Sequence, residues 1–169
     1  SVDDTLQCKQ DHEFRFRNES SEPTASMDYF WFFGDGQSAR SETASHTYDA
    51  TGSYQVRLAT RTADGCRDTL ARTMYVKPNP EADFTADRGC AGQSLTFRNR
   101  SQIAEGQIVK WTYAFGNGDT SSGPNPSHTY QKGGQYEASL VTTSQFGCPD
   151  NAVDSVRIYR IPEKTPVTK

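Results

Sequence analysis

The chain has 169 residues, of which 33% are apolar, 11% aromatic and 23% charged, enough for one ordinary domain or two small ones and too few for most multidomain enzymes. Its 21 acidic and 18 basic residues give a net charge of −3 with neither half a polycation, which excludes a nucleic-acid surface because neutralising phosphates takes clustered Lys and Arg. No run approaches the ~18 consecutive apolar residues of a membrane span, so no membrane insertion is expected. A mean hydropathy of −0.81 suits thin sandwiches in which every second strand residue faces water.

Along the chain, short apolar runs of period two are separated by Gly, Asp, Asn and Ser clusters. Phe14 and Phe16 form the first, then Tyr29, Trp31 and Phe33, then Tyr54, Val56 and Leu58, then Met74 and Val76. Each returns further on: Leu95 and Phe97; Trp111, Tyr113 and Phe115; Tyr136, Ala138 and Leu140; Val156 and Ile158. The punctuation returns as well. Phe33-Gly34-Asp35-Gly36 recurs as Phe115-Gly116-Asn117-Gly118, His46-Thr47-Tyr48 as His128-Thr129-Tyr130 and Gly65-Cys66 as Gly147-Cys148, all displaced by 82 residues. Phe16-Arg17-Asn18-Glu19-Ser20 recurs displaced by 81, so flanking loops absorb a one-residue difference.

With no sustained helical spacing, these runs predict an all-β chain of two tandem antiparallel β-sandwich domains. The join at Val76-Lys77-Pro78-Asn79-Pro80 predicts a first domain over 1–77, a stiff proline-rich linker over 78–81, a second domain over 82–162 and a tail over 163–169. Ile158-Tyr159-Arg160-Ile161-Pro162 mirrors that join, and Val2 falls where Phe84 lies in the second copy, so the chain is expected to be a piece of a longer array.

Gly34, Gly36, Gly116 and Gly118 supply positive φ at a tight turn rather than a phosphate cradle, since no helix follows them. Asp49-x-x-Gly52-x-Tyr54 has the pattern of a tyrosine corner, in which a hydroxyl ties a strand start to upstream backbone; Tyr136 stands in the equivalent place.

Trp31-Phe32-Phe33-Gly34-Asp35-Gly36, His46-Thr47-Tyr48 and Gly52-Ser53-Tyr54-Gln55-Val56 together resemble the polycystic-kidney-disease (PKD) repeat family, marked by a Trp-Asp-Phe-Gly-Asp-Gly strand and turn. Tyr113-Ala114-Phe115-Gly116-Asn117-Gly118 and Pro124-Asn125-Pro126-Ser127-His128-Thr129-Tyr130 carry the likeness in the second copy, so it covers nearly the whole chain. The resemblance implies an immunoglobulin-like sandwich, usually extracellular and in tandem within larger surface or secreted proteins, and supplies no enzymatic activity. Phe32 and Ala114 stand where the family has Asp, and Tyr113 where it has Trp, so any role of that Asp is lost.

Four cysteines allow three pairings. Cys8 to Cys66 and Cys90 to Cys148 both span 58 residues, which favours one bridge inside each repeat and an oxidising compartment. A zinc site is the competing reading, against which no Cys-x-x-Cys exists.

Catalytic chemistry finds no support. His46 and His128 occupy twin positions, which favours packing or hydrogen bonding, and His12 stands alone as a surface residue. No nucleophile elbow, paired carboxylate or cofactor motif occurs. Asp35, Asp49 and Asp64 carry oxygens suited to calcium, but Asn117, Gln131 and Phe146 replace them in the second copy, so turn formation explains them and no metal is expected. Asn18-Glu19-Ser20 and Asn99-Arg100-Ser101 are glycosylation sequons placed where Asn and Ser close a turn.

One feature is not repeated. Tyr29-Phe30-Trp31-Phe32-Phe33 is wholly aromatic, so if the odd positions face the core, Phe30 and Phe32 face outward, where the second copy has Thr112 and Ala114. Such a pair calls for a cover: a neighbouring domain of the parent protein, another surface protein or a glycan. The expected function is therefore that of non-catalytic extracellular spacer and interaction or adhesion modules, the alternative being an accessory glycan-binding module of a secreted hydrolase.

Overall fold

The computed structural model describes residues 4–20 and 27–162. It divides into two compact units, Ser1–Pro78 and Asn79–Lys169. The expectations for Val2 and for a tail over 163–169 fall outside the described residues.

Unit 1 contains β1 (Leu6–Cys8), β2 (Phe14–Arg17), β3 (Met27–Phe32), β4 (Ser38–Ala39), β5 (Thr43–His46), β6 (Gly52–Thr62) and β7 (Arg67–Lys77). One sheet has the order β1-β7-β6-β3-β4, and β2 pairs with β5 in the other. Unit 2 contains β8 (Phe84–Ala86), β9 (Gly89–Cys90), β10 (Ser94–Asn99), β11 (Ile108–Ala114), β12 (Thr120–Ser122), β13 (Ser127–Thr129), β14 (Gly134–Ser144) and β15 (Pro149–Tyr159). Its sheets are β12-β11-β14-β15-β9 and β13-β10-β8. All pairs are antiparallel except the edge pairs β1 with β7 and β9 with β15, which are parallel.

The period-two runs are the core. Phe14, Phe16, Trp31, Phe33, Tyr48, Val56, Leu58, Met74 and Val76 form one cluster, and Phe84, Leu95, Phe97, Tyr113, Phe115, Tyr130, Ala138, Leu140, Val156 and Ile158 the other. Alternation buries one face of each strand and leaves the other to water, so each sandwich needs only one apolar residue in two.

The turn after β3 requires glycine. Gly34 has φ +86°, and a Cβ there would lie 2.9 Å from the Gln55 carbonyl oxygen. Tyr48 then ties the turn down from below by donating its hydroxyl to the Phe33 carbonyl (2.8 Å), and Tyr130 does the same to Phe115 (2.9 Å). The corner tyrosines Tyr54 and Tyr136 donate to the carbonyls of Ala50 and Lys132, each at 2.8 Å. Asn18 and Asn99 accept from the backbone N–H of Ser20 and Ser101, so both sequons are Asx turns.

The linker reading is refined at Asn79 to Ala82. Asn79 Nδ2 donates to the Pro149 carbonyl, Ala82 N–H donates to Asp150 Oδ2, and Glu81 and Gln102 form a backbone bridge, so this segment is built into unit 2.

Two readings are corrected. His12 is a core residue: it is 8% exposed, its Nδ1 lies 2.8 Å from the Lys9 carbonyl, and its Nε2 accepts the Tyr48 N–H at 2.8 Å. Its isolation in sequence concealed this, because the partner strand end lies 36 residues away.

The cysteines are the second. Cys8 and Cys148 are the disulfide-bonded cysteines, and Cys66 and Cys90 are free thiols, so Cys8–Cys66 and Cys90–Cys148 bridges do not form. Strand geometry forbids them. Cys8 pairs with Lys77 at the last residue of β7, whereas Cys66 precedes the first. The length of that strand separates them by about 33 Å at ~3.3 Å per residue, and a disulfide needs Cα atoms within ~7 Å. Cys90 and Cys148 stand in the same relation to β15. The equal spacing reflects the repeat, not proximity.

Candidate functional site

Strand β3 places its aromatics as alternation requires. Trp31 is buried, Tyr29 is half-buried against the core, and Phe30 and Phe32 lie on the opposite face, where Phe32 is 41% exposed. Pairing with β6 sets Phe32 opposite Arg57, whose guanidinium carbon lies 5.4 Å from the ring centroid. The Arg40 guanidinium lies 4.9 Å from the Phe30 ring. Exposed cation–π contacts of this kind are worth ~0.5–1 kcal/mol each. Alternation along β6 and β7 puts Arg61 and Arg67, which pair with each other, on the same face, together with Tyr75 and Lys77. This face is basic and aromatic, with Asp28 as the acid contributed by β3.

The corresponding face of unit 2 carries Thr112 opposite Val141 and Ala114 opposite Ser139. It offers exposed Val141 and Val153 but no aromatic pair.

Sequence reasoning missed a cleft in unit 1. It has a volume of about 270 Å³ and lies between the sheets, lined by Phe16, Trp31, Leu58, Leu70 and Met74 with Asp68 at its rim. In unit 2, Phe84 of β8 packs on Phe97 and Tyr113, and Ala82 donates to Asp150, the counterpart of Asp68.

The motif histidines serve their own turns. His46 stacks on Phe33 (4.0 Å between centroids) and donates from Nε2 to Asp35 Oδ2 at 2.7 Å. Asp35 Oδ1 accepts the Gln37 N–H at 3.0 Å. Burial pushes the Asp35 carboxyl up, but its hydrogen bonds from Gln37 and His46 outweigh that and hold it below the ordinary value. In unit 2 His128 stacks on Phe115 at 4.1 Å, but its Nε2 accepts from Asn117 Nδ2 at 3.2 Å. Burial lowers the His128 pKa, opposed by Asp119.

Tyr113 does the work of Trp31. Trp31 Nε1 donates to the Ser41 carbonyl at 3.0 Å and Tyr113 donates its hydroxyl to the Pro124 carbonyl at 3.1 Å. Burial pushes Tyr113 and Tyr130 up to about 12. Among the described residues, no three His, Cys, Asp or Glu converge as a metal centre would require.

Two sandwiches whose polar groups are committed to their own turns, and whose variable chemistry lies on one exposed sheet face, make a tandem immunoglobulin-like module. The sequence profile described as PKD domain matches residues 2–78 and again 76–158, and the chain belongs to that family as two copies. It is 34% identical over 89 residues to a microbial collagenase of Vibrio alginolyticus, a match covering 52% of this chain and 11% of the collagenase. It is 33% identical over 67 residues to the pre-pro-metalloprotease PrtV of Vibrio cholerae, covering 40% and 7%. The chain thus spans a small part of the length of these relatives. Among solved structures, the fibronectin(III)-like modules of Clostridium thermocellum CbhA match 99% of both chains with a TM-score of 0.51 at 14% identity, a likeness of fold.

Proposed function

We propose that this pair of non-catalytic PKD modules works outside the cell as a spacer and contact element of a larger surface or secreted protein, with the outer face of unit 1 as the contact surface. The observation that carries this reading is the aromatic pair Phe30 and Phe32 under Arg40 and Arg57, absent from the sister repeat. Rings and guanidinium groups together favour a partner with apolar and acidic groups side by side. The disulfide-bonded Cys8 and Cys148 support an oxidising compartment.

A glycan stacking on these rings would first have to displace the two arginines, which favours a protein partner over a sugar. The test is the double variant Phe30→Thr, Phe32→Ala, which copies the second repeat. Its stability should fall only by the loss of the two cation–π contacts, ~1–2 kcal/mol, leaving unit 1 folded, and association of the parent protein with its target surface should fall at least tenfold. Unchanged association would discard the surface; binding to neutral polysaccharides in a pull-down, lost in the same variant, would turn the assignment to a glycan module.

A further inference from the structure

Asn117-Gly118 is the single place in the chain where asparagine precedes glycine; the other asparagines are followed by Glu, Pro, Arg or Ala. A glycine has no Cβ to keep its backbone nitrogen away from the preceding side-chain amide. The surroundings add no barrier, since Asn117 is exposed and a Cβ built at Gly118 would meet nothing within 4 Å.

The amide is also polarised by its own turn. Asp119 N–H donates to Asn117 Oδ1 at 3.2 Å, the atom on which negative charge gathers when a nucleophile adds to Cγ. Nδ2, the nitrogen that would leave, lies 2.8 Å from Asp119 Oδ2 and 3.2 Å from His128 Nε2.

We propose that Asn117 is a self-modification site, at which the Gly118 backbone nitrogen attacks the side-chain amide and water converts the residue to aspartate. As the bond from Gly118 N to Asn117 Cγ forms, the Gly118 proton passes through solvent to Nδ2. The Cγ–Nδ2 bond then breaks, ammonia leaves and a cyclic imide remains. Water opens the imide at Cγ to give aspartate, or at the main-chain carbonyl to give isoaspartate.

The sister repeat supplies independent support, because the aspartate product already exists there. Asp35 stands in the same turn between Gly34 and Gly36 and accepts from His46 at 2.7 Å. A carboxylate at 117 accepts from His128 in the same way, so the modification reverses the polarity of the His128 bond and adds one negative charge. The isoaspartate product instead lengthens the backbone of the turn by one methylene. That turn is tight: a Cβ at Gly116 would lie 2.4 Å from the Glu137 carbonyl oxygen.

The test holds the whole folded chain in mildly alkaline, isotope-labelled water. Peptide mapping follows the replacement of NH by one heavy oxygen. Loss of the amide is expected at Asn117 at least about tenfold faster than at any other asparagine. Asn117→Gln, whose longer side chain must close a larger ring, should stay unmodified. The aspartate product, separated chromatographically, should match Asn117→Asp in melting temperature against pH and differ from the parent chain, and the isoaspartate product should melt below both. Earlier loss at another asparagine, a folded chain that loses the Asn117 amide far more slowly than the same chain in urea, or an aspartate product that melts as the parent does would each overturn the assignment.

Discussion

The two histidine turns sit on superposable scaffolds yet place their protons oppositely. His46 donates to the carboxylate of Asp35, while His128 accepts from the amide of Asn117. A single-atom difference in the neighbour reverses the polarity of the bond, because a carboxylate only accepts and an amide nitrogen only donates. The same pair of units differs in exposure: Phe84 of unit 2 is 4% exposed, while Leu70, which lines the cleft of unit 1, is 61% exposed. A repeated fold therefore tolerates divergence wherever one local partner can be exchanged for another.

That difference can be broken most severely in the core. Phe97→Ala is expected to destabilise unit 2 by ~3–5 kcal/mol, and Phe16→Ala to cost unit 1 ~1–2 kcal/mol less because Phe16 already borders a cleft. The chain has one tryptophan per unit, so fluorescence-detected unfolding in Trp31→Phe and Trp111→Phe backgrounds reports the units separately. Equal losses would remove the distinction.

A smaller effect is expected at the first turn. His12→Ala leaves the Tyr48 N–H and the Lys9 carbonyl unpaired at ~1–3 kcal/mol, whereas Gln93→Ala in unit 2 removes a more exposed bond at ~0.5–1.5 kcal/mol. Urea unfolding of both variants, read by the same tryptophans, checks the order.

Acid sharpens the comparison further. The His128 pKa is lowered by burial, so its contribution is full above 6.5, the ordinary histidine value, and is lost as pH falls below it. The Asp35 pKa is lowered by hydrogen bonds that outweigh burial, so its contribution persists down to 3.8 and is lost only below. Between those values unit 2 should soften while unit 1 holds, because the Asp35 carboxylate stays ionised and keeps accepting the hydrogen bond from His46. Asp35→Asn should transfer the behaviour of unit 2 to unit 1, as melting temperature against pH would reveal.

The smallest contrast concerns the indoles. Trp31 Nε1 is paired and the buried Trp111 Nε1 has no hydrogen-bond partner, so Trp31→Phe should cost ~1 kcal/mol more than Trp111→Phe. Calorimetry of the two variants decides this.

Much of the fold was legible because strand burial follows a period of two and the repeat displays each run twice. Phe14, Trp31, Val56 and Met74 could be assigned to a core from alternation alone. The placement of Phe30 and Phe32 followed from the same rule, but Arg40 and Arg57 over their rings did not, since those contacts depend on strand pairing and rotamers. His12 and the cysteine pairing were misread for a related reason. Sequence spacing reports where a residue falls in a repeat and carries no information on which strand end it meets.

The amino-acid order alone determined two all-β units, their glycine turns and corner tyrosines, because such local conformations are set by sterics and alternation within a few residues. Strand register decided what distance along the chain could not: that an 11-residue strand holds the two cysteines of each repeat apart, that His12 is a core hydrogen-bonding group, and that Arg57 meets the ring of Phe32. These depend on through-space separations between strands, which only the folded sheets define.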